Sequence, residues 1–297
     1  MYELIAKNKR RSWYLIFGFL LVIAVLAWFF SYFAQDQITF LILAGGFGFF
    51  SILTSYFAGD KLILASTGAK QIEKQDDPEL FTIVENLAIT AGVPMPNVYL
   101  IPDPALNAFA TGRDPEHASV AITIGLRQHL TKTELEAVMG HELSHVKHYD
   151  IRLMLFTAVL VGMIIFLSDL LWRMALGGGR NNSSKKASGP IVLVALLLGL
   201  IGAPIAAQLI KLSISRKREF LADAGSAMLT RYPEAMISAL QKIAQAPKIS
   251  GHHNSIAHLF IYPPVKKDSW FQGLFRTHPP IEQRIEALQK AARIHPE

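Results

Sequence analysis

Long apolar stretches alternate with polar ones along this chain. Trp13 to Ala34 is an uncharged apolar run, Gln35-Asp36-Gln37 is a tight polar connector, and Ile38 to Ala58 is a second run. Each reaches the ~20 residues needed to cross a bilayer. The first is too long for a secretory signal, and the second follows it at once. Together they read as a transmembrane hairpin. Leu153 to Trp172 is a third run, broken by Asp169, and Pro190 to Ile210 is a fourth. Between them, residues 173–189 carry Gly177-Gly178-Gly179 and Asn181-Asn182-Ser183-Ser184, a flexible loop. The pattern predicts four transmembrane helices arranged as two hairpins.

The polar stretches have shorter periods. Asp77-Pro78 starts a helix, with Asp as N-cap and Pro at N1; Leu80, Ile83, Val84, Leu87 and Ala88 form its buried stripe and Gly92 stops it. Asn97 to Ile101 and His117 to Ile124 read as short strands, with Asn107 to Gly112 a third. Thr131 and Glu134 are spaced as a capping box, and Leu135, Val138, Met139, Leu143 and Val146 recur at helical spacing after it. Further helices follow Pro233 and Pro280. The expected organisation is a hairpin at 1–58, a first soluble part at 59–152, a second hairpin at 153–210 and a second soluble part at 211–297. The fold class is an α-helical membrane protein carrying an α+β domain with a small mixed sheet.

Composition agrees. Of 297 residues, 51% are apolar and mean hydropathy is +0.31, both high for a soluble enzyme. The net charge of +6 has a membrane explanation in Lys7, Lys9, Arg10 and Arg11, which the positive-inside rule places in the cytoplasm. No basic patch with interleaved aromatics suggests nucleic acid. One feature opposes the crossing topology: Arg173, Arg180, Lys185 and Lys186 sit in the loop it exports. A shallow re-entrant second hairpin is the alternative.

The chemistry centres on Gly140 to Asp150. His141-Glu142-Leu143-Ser144-His145 is the His-Glu-x-x-His pattern, in which two imidazoles four apart share one helix face and the Glu lies at the rim. Two histidines on a helix can also be ordinary core or solvated residues; the capping box and apolar stripe supply the helical context that the metal reading needs. With no cysteine in the chain, any zinc must take nitrogen and oxygen ligands, as catalytic sites do. Position 151 is Ile, which excludes a third His at the short downstream spacing of the metzincins.

The third ligand must then come from a distant segment. On a continuous helix His145 lies roughly 12 Å outside the hydrocarbon, and Glu219, nine residues past the fourth run, lies roughly 13 Å outside it. An antiparallel hairpin brings both to one height. Glu219 reads equally, from composition, as part of a solvated charge cluster with Arg216, Lys217 and Arg218; the matched heights favour a ligand. Asp223, one turn on, can accept a ligand histidine's N–H. His148 reads as a solvated or interfacial residue; His252, His253 and His258 match no standard metal spacing for a secondary site and read as solvated. Asp169, a charge in an apolar run, is a functional candidate that lies within one turn of the run's far end, where it can also reach the interface.

His141 to His145 with Asp150, and Ser215-Arg216-Lys217-Arg218-Glu219-Phe220-Leu221-Ala222-Asp223, resemble peptidase family M48. The resemblance extends over most of the chain, including Asn107 to Gly112 and Thr277-His278-Pro279-Pro280. It implies a zincin-like catalytic domain with one zinc ion, ligands His141, His145 and Glu219, and Glu142 as catalytic base. It gives Asp223, Asp150 and His278 supporting roles, and places Asn107, Ala108, Phe109 and Ala110 beside the substrate cleft. The implied activity is zinc-dependent cleavage of misfolded or damaged membrane proteins at the bacterial inner membrane, from the cytoplasmic side. The competing classes are a CAAX-type processing protease of the same family, whose members carry more spans, and a non-proteolytic zinc-binding scaffold or sensor. An intramembrane site is disfavoured by Glu134, Glu136, Lys147, Asp150 and Arg152 around the motif.

Overall fold

A computed structural model describes residues 2–31, 37–177, 216–246 and 279–294. Helix α1 (Tyr2–Ser31) covers the first apolar run as far as the described residues go and takes in the basic segment before Trp13, and α2 (Gln37–Ser66) contains the second run and continues past Ala58. Large apolar side chains point outward from both, among them Trp13, Phe17 and Trp28 on α1 and Ile42 and Phe50 on α2. Such a surface is costly in water and suited to lipid. Among the described residues, Gln37–Ser66 meets the length and composition needed to cross a membrane.

Helix α3 (Pro78–Ala91) forms as its caps dictate. Asp77 accepts a hydrogen bond from the Leu80 N–H, and Gly92 ends the helix at φ 70°, a left-handed conformation that glycine adopts without steric cost. The strands are β1 (Lys70–Gln71), β2 (Asn97–Ile101), β3 (Ala108–Gly112) and β4 (Ala118–Thr123), in the order β1-β2-β4-β3. The sheet is mixed as expected: β2 and β4 are parallel, and the two outer strands pair antiparallel. The two-residue β1 has no sequence signal. Nor does α4 (Ile124–His129): Thr123 ends β4 and also caps this helix through its side chain, and Ile124, expected to end the strand, begins the helix.

Helices α5 (Lys132–Lys147), α6 (Asp150–Gly177), α7 (Arg216–Thr230), α8 (Pro233–Gln245) and α9 (Ile281–Ile294) complete the described α-helices. The sheet is buried on both faces. Ala108, Ala110, Val120 and Ile122 pack with α3, α5 and α8 through Leu80, Leu135, Met139 and Met236. Phe109 and Ala121 point the other way, to Ile63 and Leu64 of α2 and Leu155 and Val159 of α6. Strand alternation thus joins the metal-site layer to the bases of the membrane-type helices. Burying each such Leu or Ile stabilises by about 2 kcal/mol.

The continuous helix assumed for the height of His145 is absent. The chain breaks between α5 and α6 at Tyr149, whose φ is 60°, so the straight-helix height does not apply. The fourth apolar run, most of the 173–189 loop, His252, His253, His258 and His278 lie outside the described residues.

Candidate metal centre

Helix α5 begins on the expected capping box. The Thr131 side chain accepts from the Glu134 N–H, and the Glu134 carboxylate accepts from the Thr131 N–H. Glu134 also accepts from Ser238 and Lys242, each at 2.6 Å, which ties α5 to α8 and holds the carboxyl below its usual range although burial opposes this.

His141, Glu142 and His145 are all buried on α5, where the four-residue spacing stacks the two imidazoles. Their rings meet at 87°, with Nε2 atoms 3.2 Å apart. Glu219 of α7 faces this pair, its oxygens 3.7 Å from His141 Nε2 and 3.6 Å from His145 Nε2. One ligand atom from each residue falls within 4.8 Å of the others.

Small residues make the approach of α7 to α5 possible. A Cβ on Gly140 would sit 3.2 Å from Ser226 Oγ, and one on Gly225 would overlap Ser144 Oγ. Ser226 Oγ donates across the seam to the Ala137 carbonyl. Without those two glycines the backbones would stand further apart, and Glu219 with them.

Each histidine is oriented from behind. His141 Nδ1 lies 2.9 Å from Asp223, and His145 Nδ1 lies 3.1 Å from Asp150. A carboxylate at Nδ1 makes that nitrogen the donor and leaves Nε2 with its lone pair. Two lone pairs 3.2 Å apart beside a carboxylate repel unless a cation lies among them. The site favours positive charge: burial opposes charge on His145, but the Asp150 hydrogen bond and the fields of Glu219, Asp150 and Glu142 raise its pKa to about 9. The charge count agrees. Buried carboxylates Glu142, Asp150, Glu219 and Asp223 share this space with Arg218 and Arg284, an excess of two negative charges that one divalent cation neutralises. The donor set of two imidazoles and a carboxylate suits zinc.

Two buried arginines were not anticipated. Arg284 of α9 has no exposed surface and donates twice to Asp223, at 2.8 and 2.6 Å. A signal for it exists: Arg284 falls among Ile281, Ile285 and Leu288, on the apolar stripe of its helix, where an unpartnered cation would not be tolerated. Arg218, expected in a solvated cluster with Arg216 and Lys217, is instead buried against Asp150 at 3.1 Å. His148 stands apart from the ligand cluster and caps α5 through its backbone. Asn107 is buried at the start of β3, an outer strand that packs on α5, with all its side chains covered.

The fold and the site together define a peptidase of the His-Glu-x-x-His type. The profile of peptidase family M48 matches residues 74–292, and the chain belongs to that family. It is 42% identical over 298 residues to a protease HtpX homolog of Streptococcus pneumoniae strain Hungary19A-6, covering 98% of this chain and 99% of that one. The protease HtpX homolog of strain JJA is also 42% identical, over 97% of this chain and 99% of its own length. Among solved structures, the crystal structure of S. mikatae Ste24p has the same fold, with a TM-score of 0.51 at 20% identity, over 97% of this chain and 67% of the other.

Proposed function

We propose that this protein is a membrane-anchored, zinc-dependent endopeptidase that cleaves misfolded or damaged membrane proteins at segments outside the bilayer. The observation that carries the reading is the pair of Nε2 atoms facing each other at 3.2 Å, each imidazole turned by a carboxylate, with Glu219 opposite. His141, His145 and Glu219 hold the ion. When bound, zinc supplies Lewis acidity, which polarises a scissile carbonyl and lowers the pKa of water. Glu142, next to His141 on the helix, takes the proton of the attacking water and delivers it to the leaving amine. Asp223 and Asp150 keep the imidazoles in one tautomer, and Arg284 keeps Asp223 ionised. The outer strand β3, beginning at Ala108 after Asn107, is the edge against which an extended substrate would align, with main-chain hydrogen bonds that tolerate many sequences.

The topology reading has four spans, with the site and the N-terminus in the cytoplasm of a bacterial inner membrane. Its support is geometric. The chain leaves the site along α6 at Asp150, and Arg218, after the fourth apolar run in sequence, bonds Asp150 at 3.1 Å, so the chain departs from and returns to one place. Asn8, within the basic segment that favours the cytoplasm, bonds the same aspartate at 2.8 Å.

The test is zinc content and cleavage of an unfolded protein by the detergent-purified chain. Wild type should hold about one zinc per chain, Glu219→Ala should lose it, and Glu142→Gln should keep it while cleavage falls by at least ~100-fold. Proteolysis that survives in Glu142→Gln would rule out this mechanism, and zinc retained by Glu219→Ala would rule out the ligand set.

A further inference from the structure

A buried polar network behind the ligand His145 begins near the start of the sequence. Asn8, in the first helix, is buried at 3% exposure within a basic segment. Its side-chain amide donates to Asp150 Oδ1 at 2.8 Å and to the His148 carbonyl at 2.9 Å. Arg218 Nη1 donates to the same Asp150 oxygen at 3.1 Å and to Asn8 Oδ1 at 3.4 Å. The other Asp150 oxygen faces His145 Nδ1 at 3.1 Å. An amide has one donor end and one acceptor end, and here each faces its complement: two oxygens meet the NH2 group and a guanidinium meets the carbonyl. The orientation of Asn8 is therefore determined.

The placement matters because Asp150 sits just after the break between α5 and α6. Tyr149, with its left-handed φ of 60°, turns the chain there, and the Lys9 ammonium lies 4.3 Å from the centre of its ring. The carbonyl of His148 precedes that turn and the carboxylate of Asp150 follows it. Asn8 holds both with two hydrogen bonds, so the angle at which Asp150 meets His145 is set from α1.

We propose that Asn8 is a positioning residue of the metal centre: with Arg218 it locks Asp150, and thereby His145, so that the N-terminal membrane-type helix is a working part of the site as well as an anchor. This rests on the zinc-site reading above. A partner that fixes a ligand histidine is worth 10–100-fold in metal affinity, and Asn8 acts one step further out, so the expected loss is about tenfold.

The experiment measures zinc affinity of the full-length detergent-solubilised protein by chelator competition, alongside the visible spectrum of the cobalt-substituted form. Asn8→Ala and the isosteric Asn8→Asp, which discards both donors, should each bind zinc about tenfold more weakly and shift the cobalt bands. Lys7→Ala, an exposed neighbour, should match wild type. In an Asp150→Asn background the Asn8 effect should largely vanish, since a residue acting through Asp150 adds little once that carboxylate is gone. If Asn8→Ala cannot be recovered folded, Asn8→Asp carries the same comparison. Wild-type affinity and spectrum in the Asn8 variants, or losses that add in full to that of Asp150→Asn, would overturn the proposal. If Glu219→Ala loses zinc while the Asn8 variants keep it, only this inference falls; a wild type that binds none removes both readings.

Discussion

A guanidinium without exposed surface has to be held by opposite charge, and Arg284 is held by Asp223 through two hydrogen bonds on one side of the site. Burial opposes ionisation of Asp223, yet the charge and hydrogen bonds of Arg284 and the contact with His141 hold its pKa at about 2. The sign follows. The folded pKa lies below the unfolded value of roughly 3.9, so this stabilisation, roughly 2–3 kcal/mol, is complete above that value and is lost as pH falls through about 2. Arg284→Ala strands a buried carboxylate, whose folded pKa then rises above the unfolded value. The variant should be about 3 kcal/mol or more less stable than metal-free wild type at pH 7, with the gap narrowing towards pH 3. Denaturant melts at the two pH values check this, and a gap independent of pH would assign Arg284 a packing role alone. Little of this support was legible in advance. His-Glu-x-x-His is a local pattern, whereas the pairing of Arg284 with Asp223 spans 61 residues and has no periodicity of its own.

At the scale of elements, the site depends on how closely two helices approach. Gly140 and Ser144 on α5 meet Gly225 and Ser226 on α7 with no room for larger side chains. Gly225→Leu would drive a branched side chain into Ser144, move α7 outward and withdraw Glu219 from the histidines. It should cost about 1–3 kcal/mol in stability, as overpacking does, and lower zinc affinity by well over tenfold, since one ligand of the three is withdrawn; isothermal titration against wild type measures it. A variant that binds zinc normally would show that α7 can shift without losing its ligand. Helices α3 and α5 were legible because their caps and stripes are local. The seam was not, because a glycine inside a helical pattern says nothing about which element lies against it.

At the scale of the molecule, the ligands come from α5 and α7, separated in sequence by α6 and the third and fourth apolar runs. A metal bound to both helices stabilises the folded state by mass action, by about 3 kcal/mol at a free concentration 100 times Kd. Thermal melts should therefore rise by several degrees with zinc in wild type and not in Glu219→Ala. An equal shift in both would place the ion elsewhere. The same architecture joins the two faces of the sheet: one carries α5 and its histidines, the other rests on α2 and α6, so disturbing the membrane-type helices should reach the metal through Asp150.

What the sequence determined by itself was whatever depends on neighbours in the chain: the apolar runs, the caps of α3 and α5, three of the four strands, and two imidazoles on one helical face. Glu219 and Asp223 were reached by a height match that assumed a continuous helix, and by the resemblance to family M48, whose motif is also local. Tertiary structure decided the rest. It broke the helix at Tyr149, where continuity had been assumed, because a left-handed turn can be held by bonds from α1 that the local pattern does not contain. It buried Arg218, which composition assigns to solvent, and Arg284, on the apolar stripe of its helix, because the carboxylates that neutralise them arrive from other helices. It brought Asn8 to Asp150, 142 residues away, because the start of the first membrane-type helix packs beside the start of α6. Local periodicity records which face of an element is buried; it does not record what that face is buried against, and the support of this metal centre is built from such contacts.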